Sequence, residues 1–453
     1  MKNNIQTRFS TTQIIMLSFF LTILCGSFLL SLPISSSNGE PVPYIDALFT
    51  ATTSVCVTGL VTVPTVSAWS TFGQIIILIL IQMGGLGVIT IMFGLMLGFY
   101  RKMGIGDRML IQDAFNLNTL SGLSTFIKKV ILGTLLIETV GALLYMTVFI
   151  PTYGLKGIWI SIFNAVSAFC NAGMDIMSEN SLCDYATNPM INFVTSALII
   201  LGGLGYIVWW DLLRVLKNLK RQKLKCFNNL TLHSKIALST TLFLIFAGTI
   251  AIFIAEFHNP LTIKNYSFID KLQLSWFQSV TTRTAGFATI QQQDLSNTGA
   301  LISILLMFIG GSPVGTAGGI KTVTITILFA AAFATIKGNH DVTLFHRNIS
   351  KSAINKSVAV VSMAFIVLFT STLLLSTVTD ADLLDILYET VSATATVGLT
   401  RNLTPMLNLW GKLIIIVTMY LGRVGPISLA VAFNIKKRAQ NIIKNPTEEI
   451  SVG

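Results

Sequence analysis

Charge is what this chain has least of. Only 11% of its 453 residues are Asp, Glu, Lys or Arg, against about 25% in an ordinary soluble domain. So few charges cannot clothe a chain of this length in water, and 53% of the residues are hydrophobic. Cysteine and histidine are scarce too. Cys25, Cys56, Cys170, Cys183 and Cys226 show no metal-binding spacing, and the four histidines are scattered. No acid–base or nucleophile constellation occurs, and no nucleotide fold is encoded. The sequence therefore reads as neither an enzyme nor the carrier of an organic cofactor. Acids are the rarer sign: 19 Asp and Glu stand against 30 Lys and Arg, a net +11.

What is present is apolar length. Uncharged runs fill 12–32, 69–100, 190–210, 236–255 and 357–379, and 130–150 holds one charge, Glu138. Each reaches the roughly 20 residues that cross a hydrocarbon core. Two more runs, near 298–336 and 407–434, are interrupted only by isolated basic residues. The expectation is eight spans in an all-α integral membrane protein. No small-residue cleavage site follows the first run, which argues against a signal peptide.

Charge placement orients the spans. Twenty-two of the 30 basic residues fall at the two ends and in three segments, around 101–129, 214–235 and 337–356. By the positive-inside bias those segments and both termini are cytoplasmic, and the locale is the cell membrane. Basic charge that follows topology in this way excludes nucleic acid as the partner; the partner it implies is membrane lipid. Twelve of the 19 acids, among them Asp46, Asp175, Glu179, Asp385 and Glu389, lie on the other side. Collectively they would draw cations to an outer vestibule.

A repeat runs through the whole chain. Gly59, Gly173, Gly286 and Gly398 are separated by 114, 113 and 112 residues, and an aromatic stands ten before each: Phe49, Phe163, Trp276 and Tyr388. The unit reads as outer span, short helix, loop, inner span. In the first copy the stretch 44–54 is too short to cross, so it dips in and returns through the glycine loop. Irregular backbone at that depth survives only when buried in protein or lining water. Four such loops around one axis satisfy that rule together, in a pseudo-fourfold arrangement. The short helices aim their carbonyl ends inward, which favours a cation. Glycine suits a strand whose successive carbonyls must face an axis. Repeats span 12–100, 126–215, 232–337 with a broken inner helix, and 352–435, followed by a tail at 436–453.

These strings carry a resemblance. Val57-Thr58-Gly59-Leu60, Asn171-Ala172-Gly173-Met174, Thr284-Ala285-Gly286-Phe287 and Thr396-Val397-Gly398-Leu399 look like the four filter segments of the Trk/Ktr/HKT superfamily of potassium transporters. The last is close to the TVGYG of potassium channels. A first repeat beginning at residue 12 looks more like the Ktr membrane subunit, or the related sodium-linked subunit, than the Trk type. The resemblance implies a potassium filter at these sixteen residues and, through Gly59 in place of Ser, selectivity for potassium. Sodium is a second candidate ion. It further implies a homodimer with one path per subunit and a cytoplasmic ring of nucleotide-binding regulatory subunits.

A second glycine set marks the inner spans at Gly84-Gly85-Leu86-Gly87, Gly202-Gly203-Leu204-Gly205 and Gly422-Arg423-Val424-Gly425. Small residues there allow bending and close helix packing. The third copy differs: Gly310, Gly311, Ser312, Pro313, Val314, Gly315, Thr316, Ala317, Gly318 and Gly319. Each Gly costs ~1 kcal/mol and Pro ~3 kcal/mol in a helix, so the span should break into two pieces joined by a loop below the filter. In the resembled family this loop is a gate; a kinked helix without that role is the alternative. Arg423 stands where other copies have glycine, and a buried cation there is expected to be functional. It should hold the loop, or else pair with Glu138 or Asp211 for structure alone. Lys321 should satisfy carbonyls or reach the inner interface. By the resemblance, Arg283 braces the filter from behind. A sodium-coupled alternating-access symporter is the competing function; it would need inverted repeats, whereas two full spans per copy make all four run the same way.

Overall fold

The structure, a computed structural model, describes residues 10–98, 104–114, 122–217, 227–339 and 341–425. Cys226, His340, most of the basic segment after Lys217, and the expected tail lie outside the described residues. The described chain is mostly helical, with one short hairpin at Thr343–Leu344 and Arg347–Asn348.

Four outer helices, Thr11–Leu30, Leu123–Tyr153, Leu232–Glu256 and Lys351–Ser376, are long and apolar enough to cross a membrane. Three of them begin where a hydroxyl can accept a backbone N–H, at Ser10 in a capping box with Gln13, at Thr231 and at Ser350, while the second begins at Gly122 without a side-chain cap. Their outward faces expose Phe28, Leu136, Phe243 and Phe369, a pattern that suits lipid rather than water. Hydroxyls on these helices, such as those of Thr22, Thr139 and Thr249, donate to carbonyls four residues back. These hydroxyls thereby keep their hydrogens from the lipid.

Four shorter helices, Tyr44–Cys56, Lys156–Cys170, Phe268–Thr281 and Leu383–Ala395, have 13 to 15 residues. At 1.5 Å per residue each reaches about 20 Å and stops inside the membrane. The repeated aromatic anchors them. Phe49, Phe163 and Tyr388 are fully buried, and half-buried Trp276 meets Phe246 edge-on at 5.8 Å.

The inner elements bend or break at their glycine sets. The first is Thr71–Leu86 followed by a second helix from Val88, bent by 95°; the second is Pro189–Leu204 and Tyr206–Leu216, bent by 99°. The bends fall on Gly87 and Gly205, with φ 85° and 87°, a backbone conformation open to glycine alone. The third inner element is broken as expected, into Asn297–Phe308 and Thr322–Ile336. The fourth runs from Leu409 to Val424 and meets Gly425 at φ 89°. With the outer helices these make eight spans in four repeats.

The first and last repeats are tied to each other. Lys412 Nζ lies 2.6 Å from Asp46 Oδ1, and the Tyr420 hydroxyl donates to the Met16 carbonyl at 2.9 Å. Both partners of the ion pair are largely buried, so removing one strands the other. Lys412→Met should destabilise the protein by about 2 kcal/mol and lower its unfolding midpoint in detergent. Lys412→Met with Asp46→Asn should recover part of that loss. Equal midpoints for the native chain and Lys412→Met would show that the pair does not hold the ring.

Candidate functional site

The four short helices end at one place. Three terminate in a left-handed residue: Val57 at φ 55°, Asn171 at 58° and Thr396 at 53°. The third repeat reaches that geometry at Thr284, φ 71°. Two residues later Gly59, Gly173, Gly286 and Gly398 have φ 98°, 65°, 84° and 95°. The residue between keeps an ordinary negative φ. Alternating hand rotates successive peptide planes the same way, so neighbouring carbonyls share a side instead of alternating as in a strand.

The glycines form a closed circle. A Cβ placed on Gly59 would stand 2.6 Å from the Ala172 carbonyl oxygen, one on Gly173 2.5 Å from that of Ala285, and one on Gly286 2.6 Å from that of Val397. A Cβ on Gly398 would run into the Thr58 carbonyl oxygen and completes the circuit. Each repeat thus leans on the next, in chain order, through backbone alone. All sixteen residues of the four strings are buried except half-buried Gly173, and their side chains pack outward into the core.

Hydroxyls hold the strings from behind. The Gly59 N–H donates to Thr53 Oγ1 at 2.9 Å and the Gly398 N–H to Ser392 Oγ at 3.0 Å. The Ser167 hydroxyl donates to the Met174 carbonyl and the Thr281 hydroxyl to the Phe287 carbonyl. These four residues were not singled out from the sequence, although a Ser or Thr stands five or six before each glycine.

Outside the ring lies a cavity of about 360 Å³ lined by all four glycines, Asp175 and Glu179. Burial pushes the Asp175 carboxyl up to about 6, against the pull of hydrogen bonds from Ser181 and the amides of Met177 and Ser178. Most other acids here are engaged: Asp385 with Arg401 at 2.6 Å, Glu389 with the hydroxyls of Thr400 and Thr404, and Glu256 with Ser296, Asn259 and Thr262. Among the described residues no cluster of three His, Cys, Asp or Glu is placed to hold a metal ion.

On the other side of the ring the loop of the broken third repeat lines a cavity with the glycines of the first and fourth repeats. The loop is tied to the bent second repeat: Ser312 N–H donates to the Gly203 carbonyl, Thr316 N–H to that of Gly202, and Tyr206 N–H to that of Val314. Arg423 joins it to the remaining repeats. One guanidinium nitrogen donates to the Thr316 carbonyl at 2.7 Å and the other to the Gly84 carbonyl at 2.6 Å. The alternative pairing of Arg423 is not realised, since Glu138 accepts from Gln82 and Asp211 from Arg214. Lys321 donates to the Ala317 and Gly318 carbonyls. Arg283 turns away from the axis, to Thr241 and the Gly310 carbonyl. That inner cavity holds about 410 Å³ and is lined also by Arg423, Lys321 and Tyr206; no residue lines both it and the outer cavity.

A membrane-embedded carbonyl ring between two cavities, built from four like repeats, defines a cation-path protein. The family model TrkH, cation transport protein, matches residues 2–444, and the chain belongs to that family. It is 40% identical to a potassium/sodium uptake protein of Enterococcus hirae, covering all of this chain and 99% of the relative. It is 38% identical to the Ktr system potassium uptake protein B of Bacillus subtilis, over 98% and 97% of the two chains. The crystal structure of the potassium transporter TrkH from Vibrio parahaemolyticus superposes with a TM-score of 0.76 at 16% identity, over 95% of this chain and 86% of that one. The fold is therefore shared.

Ser392→Ala removes the acceptor of the buried Gly398 N–H. It should cost about 1–3 kcal/mol, read as a lower unfolding midpoint. Ser376→Ala, whose hydroxyl only bonds its own exposed helix, should leave the midpoint unchanged. Equal effects of the two would mean that Ser392 does not brace the ring.

Proposed function

We propose that this chain is the potassium-translocating subunit of an uptake system in the cytoplasmic membrane. The observation that carries the reading is the closed circle of Gly59, Gly173, Gly286 and Gly398, where backbone oxygens crowd one axis. Potassium sheds its water and passes in single file through stacked carbonyls, drawn by the membrane potential, with sodium as an auxiliary ion. The names of the relatives from Enterococcus hirae and Bacillus subtilis support potassium as the cargo. Both termini are cytoplasmic. The functional unit is a homodimer with one path per subunit, regulated by a separate nucleotide-binding ring on the cytoplasmic side. The word "system" in the Bacillus relative's name supports such a partner.

The loop 310–319 acts as the gate. Arg423 latches it closed by holding Thr316 and Gly84 at once, and its charge opposes a cation in the cavity below. The latch consists of hydrogen bonds to carbonyls, which exchange readily for water once the loop moves.

Flux in vesicles containing the purified chain tests both parts. Gly59→Ser and Gly398→Ser should each reduce potassium-over-sodium preference by at least tenfold, because a Cβ displaces the carbonyl of the neighbouring repeat. Unchanged selectivity in all four single Gly→Ser variants would refute the filter. Arg423→Ala and deletion of 314–318 should each raise potassium flux without altering selectivity, and together do little more than either alone. A fall in flux for the deletion, with protein still inserted, would leave the loop a structural break only.

A further inference from the structure

Glu138 is the one charge in the apolar run 130–150, and neither the ring nor the gate uses it. Its side chain is buried, at 5% exposure, and it lines neither the outer nor the inner cavity. The three ion pairs among the described residues leave it out. An acid at that depth is costly and marks a functional place. Since no cavity opens on it, that function acts through the side chains it touches.

Comparison of the repeats shows where the acid departs from the pattern. Gly26, Gly141 and Gly248 of three outer helices each face a leucine of their own inner helix, Leu80, Leu198 and Leu306. Three residues before those glycines stand Ile23, Glu138 and Ile245, all buried. Two residues after those leucines stand Gln82, Ile200 and Phe308. An amide on the first inner helix thus answers an acid on the second outer helix, where the other copies are apolar. The two meet across the boundary between repeats: Gln82 Nε2 donates to Glu138 Oε2 at 3.1 Å.

The third member is Cys170, which ends the second short helix and directly precedes the string 171–174. Its thiol is fully buried and lies 3.5 Å from Gln82 Oε1 and 3.9 Å from Glu138 Oε1. A Cβ on Gly85 would stand 2.5 Å from Cys170 Sγ, so the thiol has no slack on that side. The acid therefore orients the amide, the amide and the acid seat the thiol, and the thiol marks where the string begins. In the first repeat the matching cysteine, Cys56, also precedes its string, but Ile23 offers no acceptor there.

We propose that Glu138 is a positioning residue for the second quarter of the ring, acting through Gln82 and Cys170. A buried hydrogen-bonded cluster of this kind stiffens what it touches, and a coordinating geometry depends on the residues that hold it from behind. This inference rests on the reading of the ring as a potassium filter.

Two measurements on the full chain decide it. The first is potassium-over-sodium preference in vesicles, normalised to inserted protein. Glu138→Leu should lower it by about threefold or more. Glu138→Gln, which keeps an oxygen for Gln82 at the same reach, should retain it. Tyr145→Phe removes another buried hydrogen bond of the same outer helix, 2.6 Å to Thr195 Oγ1, and should retain it too. The second is amide hydrogen exchange, which needs no transport. Residues 171–174 should exchange faster in Glu138→Leu than in the native chain, while 396–399, opposite in the circle, should not. Native preference in Glu138→Leu, an equal loss in Glu138→Gln or Tyr145→Phe, or equal acceleration of both segments would overturn the proposal and leave Glu138 a packing residue. Should Glu138→Leu fail to insert, Gln82→Leu, which removes the same bond from the other side, takes its place. Native vesicles without potassium preference would refute the proposed function, and the exchange pattern would then decide alone whether Glu138 holds the second string.

Discussion

Four backbones meet where there is no room for a side chain, and the rest of the molecule follows from that contact. Each ring glycine lies so close to its neighbour's carbonyl that one added carbon would collide. Such an approach at membrane depth places amides and carbonyls far from water, where an unpaired group costs several kcal/mol. The short helices supply the approach by stopping halfway. The hydroxyls of Thr53, Ser167, Thr281 and Ser392 bond the outward-facing groups. Beside the glycines stand the carbonyl oxygens of Thr58, Ala172, Ala285 and Val397, and a partly dehydrated cation is the occupant we propose for them.

The ring also dictates what lies beneath it. Three inner elements reach the centre with glycine at φ 85–89°, namely Gly87, Gly205 and Gly425. In the third repeat a loop takes that place, with the amides of Ser312 and Thr316 bonded to the Gly203 and Gly202 carbonyls. Pseudo-symmetry is thus broken below the ring, and Arg423 sits at the break. A guanidinium carries a planar fork of donors and stays charged. It can therefore link two carbonyls from different repeats, Thr316 and Gly84, while presenting positive charge to the cavity. Lys412 with Asp46 closes the same circle on the outer side.

Much of this was legible in the sequence, because backbone constraints write themselves as glycine. The apolar runs showed the number of spans, and the spacing of Gly59, Gly173, Gly286 and Gly398 showed the repeat. Five glycines and a proline between 310 and 319 announced the broken helix. The sharp bends at Gly87 and Gly205 were not legible, since GGLG reads equally well as a packing motif. Partners were hidden for a different reason. Arg423 bonds carbonyls, which every residue has, so no pattern of acids could reveal Thr316 and Gly84. The hydroxyls behind the ring were hidden as well, because a Ser or Thr five or six before a glycine acquires its role only through the fold.

The central claim is that the carbonyls beside the four glycines coordinate a cation on the axis. Its most direct measurement is the experimental structure of the purified chain in rubidium or thallium, with anomalous density used to locate the ion. The account predicts a peak on the axis within the ring, at coordinating distance from the carbonyl oxygens of Thr58, Ala172, Ala285 and Val397, and its loss in Gly398→Ser. Peaks confined to the outer cavity, with none between the four glycines, would contradict it.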